Sequence, residues 1–166
     1  MDEAVIVALG GNLPGPYTSR ERLLEAALET FPEFGLEVTA RSSWWTSAAW
    51  PDPTGPDYLN GVAIVATDLS PVRTLAALHA IEARFGRARG EANAPRTLDL
   101  DLIAHGRTVL NGALVTPHPR AHERLFVMGP LAELAPAWVH PVLGETAQGL
   151  AAAAAIGRDA RSITKA

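Results

Sequence analysis

Asp99 and Asp101 stand two residues apart in the run PRTLDLDLI, Pro95 to Ile103. Aspartate is depleted from strands, yet Leu98, Leu100, Leu102 and Ile103 give this run the composition of one. Along a strand side chains alternate, so the leucines share one face while Thr97, Asp99 and Asp101 share the other. At the usual rise the two aspartate Cα atoms lie about 6.6 Å apart. Carboxylates held that close repel each other unless a cation sits between them. A few hard oxygen ligands suit Mg2+, which keeps its waters and is shared with substrate phosphates. Arg96 adjoins the pair, and seven of the chain's thirteen arginines fall between Arg84 and Arg124. Arginine offers a planar fork that matches phosphate or carboxylate. Acids, a cation and arginines together form the arrangement that phosphoryl transfer requires. The plainer alternative is a strand with one wet face, where acids are tolerated.

Other residues narrow the chemistry. Neither GxxxxGK[ST] nor GxGxxG occurs, so phosphates would be held by arginines and metal. Gly10-Gly11-Asn12 closes an apolar run and presents backbone N–H groups, a weak anion-binding signal. His118 and His122 have the i, i+4 spacing of some zinc sites, without an evident third ligand. The competing reading makes His118 a hydrogen-bond donor to phosphate. Asn60, between apolar neighbours, is either a satisfied buried amide or a side chain that reads a flat heterocycle through paired donor and acceptor. Trp44, Trp45, Trp50, Tyr58 and Phe126 are core candidates, with Trp50 in a loop also placed to stack on a ligand.

The elements that must position these groups follow from periodicity. Residues 4–9, AVIVAL, form a buried strand. Thr18 to Glu21 has the form of a capping box, and Leu23, Leu24, Ala27, Leu28 and Phe31 then share one helical face. Val38 to Trp45 reads as a second strand and Tyr58 to Ala66 as a third. Ser70-Pro71 starts a helix that carries Leu75, Leu78, Glu82 and Phe85 and that Gly86 can end. Thr97 to Ile103 is the fourth strand. A hairpin over Arg107 to Val115, a helix near Val127 to Leu134 and an alanine-rich helix from Gly149 to Ile156 complete the chain. The order β-α-β-β-α-β predicts an α+β, ferredoxin-like antiparallel sheet with helices on one face, leaving the other for ligand.

Bulk properties agree with a single domain over residues 1–166, since this length carries one core comfortably. With no cysteine there are no disulfides, thiolate metal sites or thiol nucleophiles. The net charge of −4 argues against bulk nucleic-acid binding. The acidic N-terminus and the lack of a run of roughly 20 apolar residues point to a cytoplasmic protein without membrane attachment.

APRTLDLDLI, with DYLNGVAIV upstream, TPHPRAHERLFVMGPL downstream and the opening VALGGNL, resembles 6-hydroxymethyl-7,8-dihydropterin pyrophosphokinase of folate biosynthesis. The resemblance implies transfer of pyrophosphate from ATP to the pterin hydroxymethyl group, with release of AMP. It implies that Asp99 and Asp101 ligate two Mg2+ ions and that Arg87 and Arg96 act with them in catalysis. Asn60, Tyr58, Phe126, Ser47 and Trp50 are implied for pterin. Arg87, Arg96, His118, Arg124, Leu75, Glu82 and Leu102 are implied around ATP. A monomer whose segments 46–57 and 86–96 close over both substrates is also implied. Asn93 stands where enterobacterial members carry a stacking tryptophan, and Trp50 is expected to supply some of that cover. Two other readings stay open: a non-catalytic ligand-binding module, and a phosphoester hydrolase using Asp99, Asp101, His118 and His122.

Overall fold

VIVALGG and YLNGVAIVA, two largely apolar runs, lie side by side within one antiparallel sheet. The computed structural model describes residues 3–11, 16–48, 57–86 and 98–163. In chain order the elements are β1 (Val5–Gly11), α1 (Arg20–Thr30), β2 (Glu37–Arg41), β3 (Trp45–Ser47), β4 (Tyr58–Ala66), α2 (Pro71–Arg84) and β5 (Asp99–His105). They continue through β6 (Leu110–Asn111), β7 (Val115–Thr116), α3 (Leu125–Leu134), α4 (Ala147–Ala153) and β8 (Arg161–Ser162). Strand β1 pairs with β5 on one side and β4 on the other, and β4 then pairs with both β2 and β3. This is the expected βαββαβ sheet, with its second strand divided.

The division has a local cause. Ser42 Oγ accepts the backbone N–H of Val62 at 3.0 Å and donates to the Ser43 carbonyl at 2.7 Å, a side chain taking over ladder bonds. The expected strand from Val38 to Trp45 therefore ends at Arg41 and resumes at Trp45.

Helix α1 begins one residue later than the expected box. Ser19, with extended backbone, accepts the Arg22 N–H at 3.1 Å and caps the helix. Helix α2 starts as read, with Ser70 accepting from Arg73 and Pro71 at the first position. Gly86 follows its end at φ +84°, a conformation that favours glycine. Helix α4 runs over Ala147–Ala153, capped by Thr146, and stops short of Ile156.

Helices α1 and α2 bury Leu23, Leu24, Ala27, Leu78 and Ile81 against Val5, Val7, Leu9, Leu59, Leu100 and Leu102 on one face of the sheet. The opposite face is not left open, contrary to the expectation. Ile6, Ala8, Val62, Ile64 and Ile103 project there, and α3 and α4 cover them with Val127, Met128, Leu131, Ala147 and Leu150. The unbroken apolar runs of β1 and β4 demand this. A strand buried on both faces reads as continuous hydrophobic sequence, whereas a wet face would show alternation. Among the described residues, α3 and α4 leave one end of this second face uncovered, and polar residues begin there.

Candidate active site

Register places the polar residues in rows. Gly10 of β1 is paired with Asn60 of β4 on one side and with Asp99 of β5 on the other. The next row is Val62, Ala8 and Asp101. Because side chains alternate, Asn60, Asp99 and Asp101 all project from the second face. Neighbouring strands lie about 4.8 Å apart, so Asn60 and Asp99 are separated by roughly 10 Å with a residue lacking a side chain between them. At Gly10 a Cβ would stand 3.3 Å from Asn60 Oδ1 and 3.5 Å from the Leu59 carbonyl, so any larger residue would fill the row.

A cavity of about 180 Å³ lies over these rows. Its sheet side is Ala8, Leu9, Gly10, Asn60, Asp99 and Asp101, and Ser47, Ala48 and Tyr58 form one margin. Arg120 and Arg124 come from the segment leading into α3, Phe126 and Val127 from its first turn, and Ile156 closes the end. Asn60 is 6 % exposed and donates from Nδ2 to Ser47 Oγ at 2.8 Å. That bond fixes the amide so that Oδ1 faces the Gly10 end of the cavity. Asp99 and Asp101 are half-buried. Among the described residues no group of three His, Asp or Glu side chains gathers as a metal site. A cation at the two aspartates would complete its shell with water and ligand oxygens, which is how Mg2+ is usually held. The pair opens onto a cavity beside Arg120 and Arg124, so its donor set fits Mg2+ shared with an anion.

His118 lies beside this cluster. Burial holds its imidazole at a pKa of about 4, with Arg124, Arg120 and His122 adding to the depression and Asp99 opposing it. Its Nδ1 accepts the Arg120 N–H at 3.1 Å, which leaves the proton of the neutral ring on Nε2 as a donor. His122 does not join it in a zinc set: its ring packs edge-on against His140 at 5.7 Å. Burial likewise lowers the pKa of His140, followed by the charge of His122.

Two residues position the site from outside. Glu82, 1 % exposed on α2, accepts the Leu100 N–H at 2.8 Å, bonding the side of β5 away from β1 between the two aspartates. Glu133 on α3 accepts from Ser43 N and Ser43 Oγ, both at 2.6 Å, and from Trp45 Nε1 at 3.2 Å. Burial would raise its carboxyl pKa, but these bonds together hold it below the usual value.

Of the residues singled out in the sequence, Ser47, Tyr58, Asn60, Asp99, Asp101, Arg124 and Phe126 come together on the cavity. Leu102 is buried in the core beneath α1 and α2, Leu75 on α2 packs partly buried against that core, and Glu82 reaches β5 from the same helix. Trp50, Arg87, Arg96 and Asn93 lie outside the described residues, as do most of the segments expected to close over the substrates. Gly10 stands out in the sequence only through the Gly-Gly turn, and Ala48, Arg120 and Ile156 do not stand out as site residues. Arg120 falls within the arginine count, whereas Ala48 and Ile156 carry no signal.

A family model described as 7,8-dihydro-6-hydroxymethylpterin-pyrophosphokinase matches residues 6–136. A 2-amino-4-hydroxy-6-hydroxymethyldihydropteridine pyrophosphokinase from Synechocystis is 47 % identical over 142 residues, covering 85 % of this chain and 71 % of its own. The enzyme of the same name from Pseudomonas aeruginosa is 42 % identical over 141 residues, covering 82 % and 83 %. A crystal structure of Plasmodium falciparum HPPK-DHPS superposes with a TM-score of 0.71 at 12 % identity, over 90 % of this chain. This chain spans 45 % of the length of that one, and at such identity the likeness is one of fold.

Proposed function

The chain belongs to the 7,8-dihydro-6-hydroxymethylpterin-pyrophosphokinase family, and from that premise we propose that it carries pyrophosphate from ATP to 6-hydroxymethyl-7,8-dihydropterin, releasing AMP, in folate biosynthesis. The observation that carries the reading is the row Asn60–Gly10–Asp99, with Asp101 one row on. It sets an amide that can read a heterocycle and two carboxylates that can hold a cation on one floor, with space between.

In this reading the pterin lies over Gly10, its ring edge against Asn60 and its faces against Phe126 and Tyr58. Ser47 keeps the Asn60 amide in one orientation, which selects a ring with the matching donor and acceptor. The exocyclic hydroxymethyl oxygen then points along the row toward Asp99 and Asp101. It forms a bond to the β-phosphorus of ATP while the bond from that phosphorus to the α,β-bridging oxygen breaks. AMP leaves with the electron pair, and the hydroxyl proton is shed. Such transfer passes through a loose transition state, so the protein aligns the reactants and offsets charge without a strong base. Arg124, Arg120 and the Nε2–H of His118 face the phosphates, where charge-assisted bonds are strongest. Asp99 and Asp101 would hold the two Mg2+ ions, which would supply Lewis-acid neutralisation of the phosphate charge. Arg87 and Arg96 complete the phosphate contacts and Trp50 the pterin cover, within one domain acting as a cytoplasmic monomer. Among the described residues no helix is long and apolar enough to cross a membrane.

The test is AMP formation from ATP and Mg2+, with and without the pterin, for wild type and Asp99→Ala. The expected result is AMP only when pterin is present, largely lost in the variant. Phosphate or ADP released without pterin would instead identify a hydrolase. Ligand binding without any turnover, and unaltered in Asp99→Ala, would identify a binding module.

A further inference from the structure

The last wall of the cavity comes from beyond residue 136, where the family match ends. After α4 the chain turns back as a strap, residues 154–163, with a turn from Gly157 to Ala160. Ile156 is bonded on both sides to the segment that leads into α3: Leu125 N–H donates to the Ile156 carbonyl and Ile156 N–H to the Glu123 carbonyl, each at 2.9 Å. This bridge lays Ile156 beside Arg124, where it lines the cavity.

The next residue shapes the neighbouring wall. Gly157 has φ +73°, and a Cβ there would stand 2.5 Å from Phe126 Cδ2. Only glycine is relaxed at that angle, and only glycine leaves the Phe126 ring where it lines the cavity. Asp159 then reaches the opposite margin, its Oδ2 accepting the Ala48 N–H at 2.6 Å. Strand β8 finishes the strap by pairing Arg161 with Thr46 and Ser162 with Trp45, in the strand that carries Ser47. One short segment therefore ties together the two sides of the cavity, Phe126 on one and Ser47-Ala48 on the other.

We propose that this C-terminal strap determines pterin specificity, with Ile156 as a direct contact and Gly157 and Asp159 as positioning residues for Phe126 and Ala48. The proposal rests on the pyrophosphokinase reading. It assigns the strap to the pterin half of the cavity, because its contacts meet Phe126 and the Ser47–Tyr58 margin, whereas the aspartates stand across the Gly10 row.

The test measures KM for 6-hydroxymethyl-7,8-dihydropterin and for ATP separately on the full chain. Pterin binding is also measured by calorimetry beside an ATP analogue with methylene between the α- and β-phosphorus atoms. Ile156→Ala is expected to raise the pterin KM and dissociation constant about tenfold, the order for a trimmed apolar wall. Asp159→Ala is expected to raise them by a similar factor through loss of its bond to Ala48, with ATP KM changed less than about twofold in both. Asp159→Asn keeps an acceptor for Ala48 and is expected to stay near wild type. Gly157→Ala is expected to weaken pterin binding in the wild-type background and to add little in Phe126→Ala, since its effect passes through that ring. Should Gly157→Ala not fold, Ile156→Ala and Asp159→Ala decide. Unchanged pterin KM in both, or equal loss for pterin and ATP, would overturn the strap's role. Wild type that neither binds pterin nor makes AMP from it would overturn the functional reading and this inference with it.

Discussion

Replacing Glu82 tests how the paired aspartates are held. Among the described residues β5 is an edge strand of the sheet, and the Leu100 N–H on its outer side is satisfied by Glu82 at 2.8 Å. Glu82→Ala leaves that buried donor unpaired, which costs about 2 kcal/mol, and opens a cavity worth about 1 kcal/mol more. A total near 3 kcal/mol should lower Tm by roughly 6–12 °C in a chain of this size. Glu82→Gln keeps a carbonyl oxygen in the same place and should recover at least half of the loss. Because Leu100 stands between Asp99 and Asp101, loosening it should also raise the Mg2+ concentration needed for half-maximal rate, more than it raises the pterin KM. Thermal unfolding by circular dichroism and a Mg2+ titration of AMP formation provide the assay. An alanine variant melting within about 2 °C of wild type would refute the reasoning, since that is less than 1 kcal/mol. So would a glutamine variant as unstable as the alanine one.

Three further outcomes are expected. In the free protein the His118 ring should titrate near 4 by NMR, well below 6.5. Between those values the unfolded chain binds the extra proton, so the stability this group contributes is present above pH 6.5 and lost as pH falls toward 4. After solvent screening that loss is on the order of 2 kcal/mol, and a ring titrating above 6 would contradict it. Gly10→Val should lower kcat/KM by about 100-fold through displacement of the pterin from Asn60, with a much smaller change in Tm; normal activity would remove Gly10 from the site. Glu133→Ala abolishes the bonds to Ser43 and Trp45 and should cost about 2 kcal/mol in denaturant unfolding, and an unchanged midpoint would show that the tie carries no stability.

Local rules made much of this legible. The start of α2 follows from Ser70-Pro71, and the bounds of β4 from the apolar run Tyr58 to Ala66. The shared face of Asp99 and Asp101 follows from alternation alone, since it depends on nothing beyond neighbouring residues. Where local reading erred, a hydroxyl or a second layer intervened: Ser42 split one strand, and α3 and α4 covered a face expected to be free.

The sequence by itself therefore determined the family, the order of the main elements and which strand or helix presents most of the candidate residues. Tertiary structure alone decided what those side chains meet. Gly10 becomes a site residue only because pairing register sets it between Asn60 and Asp99. Glu82 becomes a tie for β5 across 18 residues, and Asp159 reaches Ala48 across 111. Periodicity acts over a few residues of chain, whereas a pocket is closed by contacts through space between segments whose order along the sequence does not specify their distance.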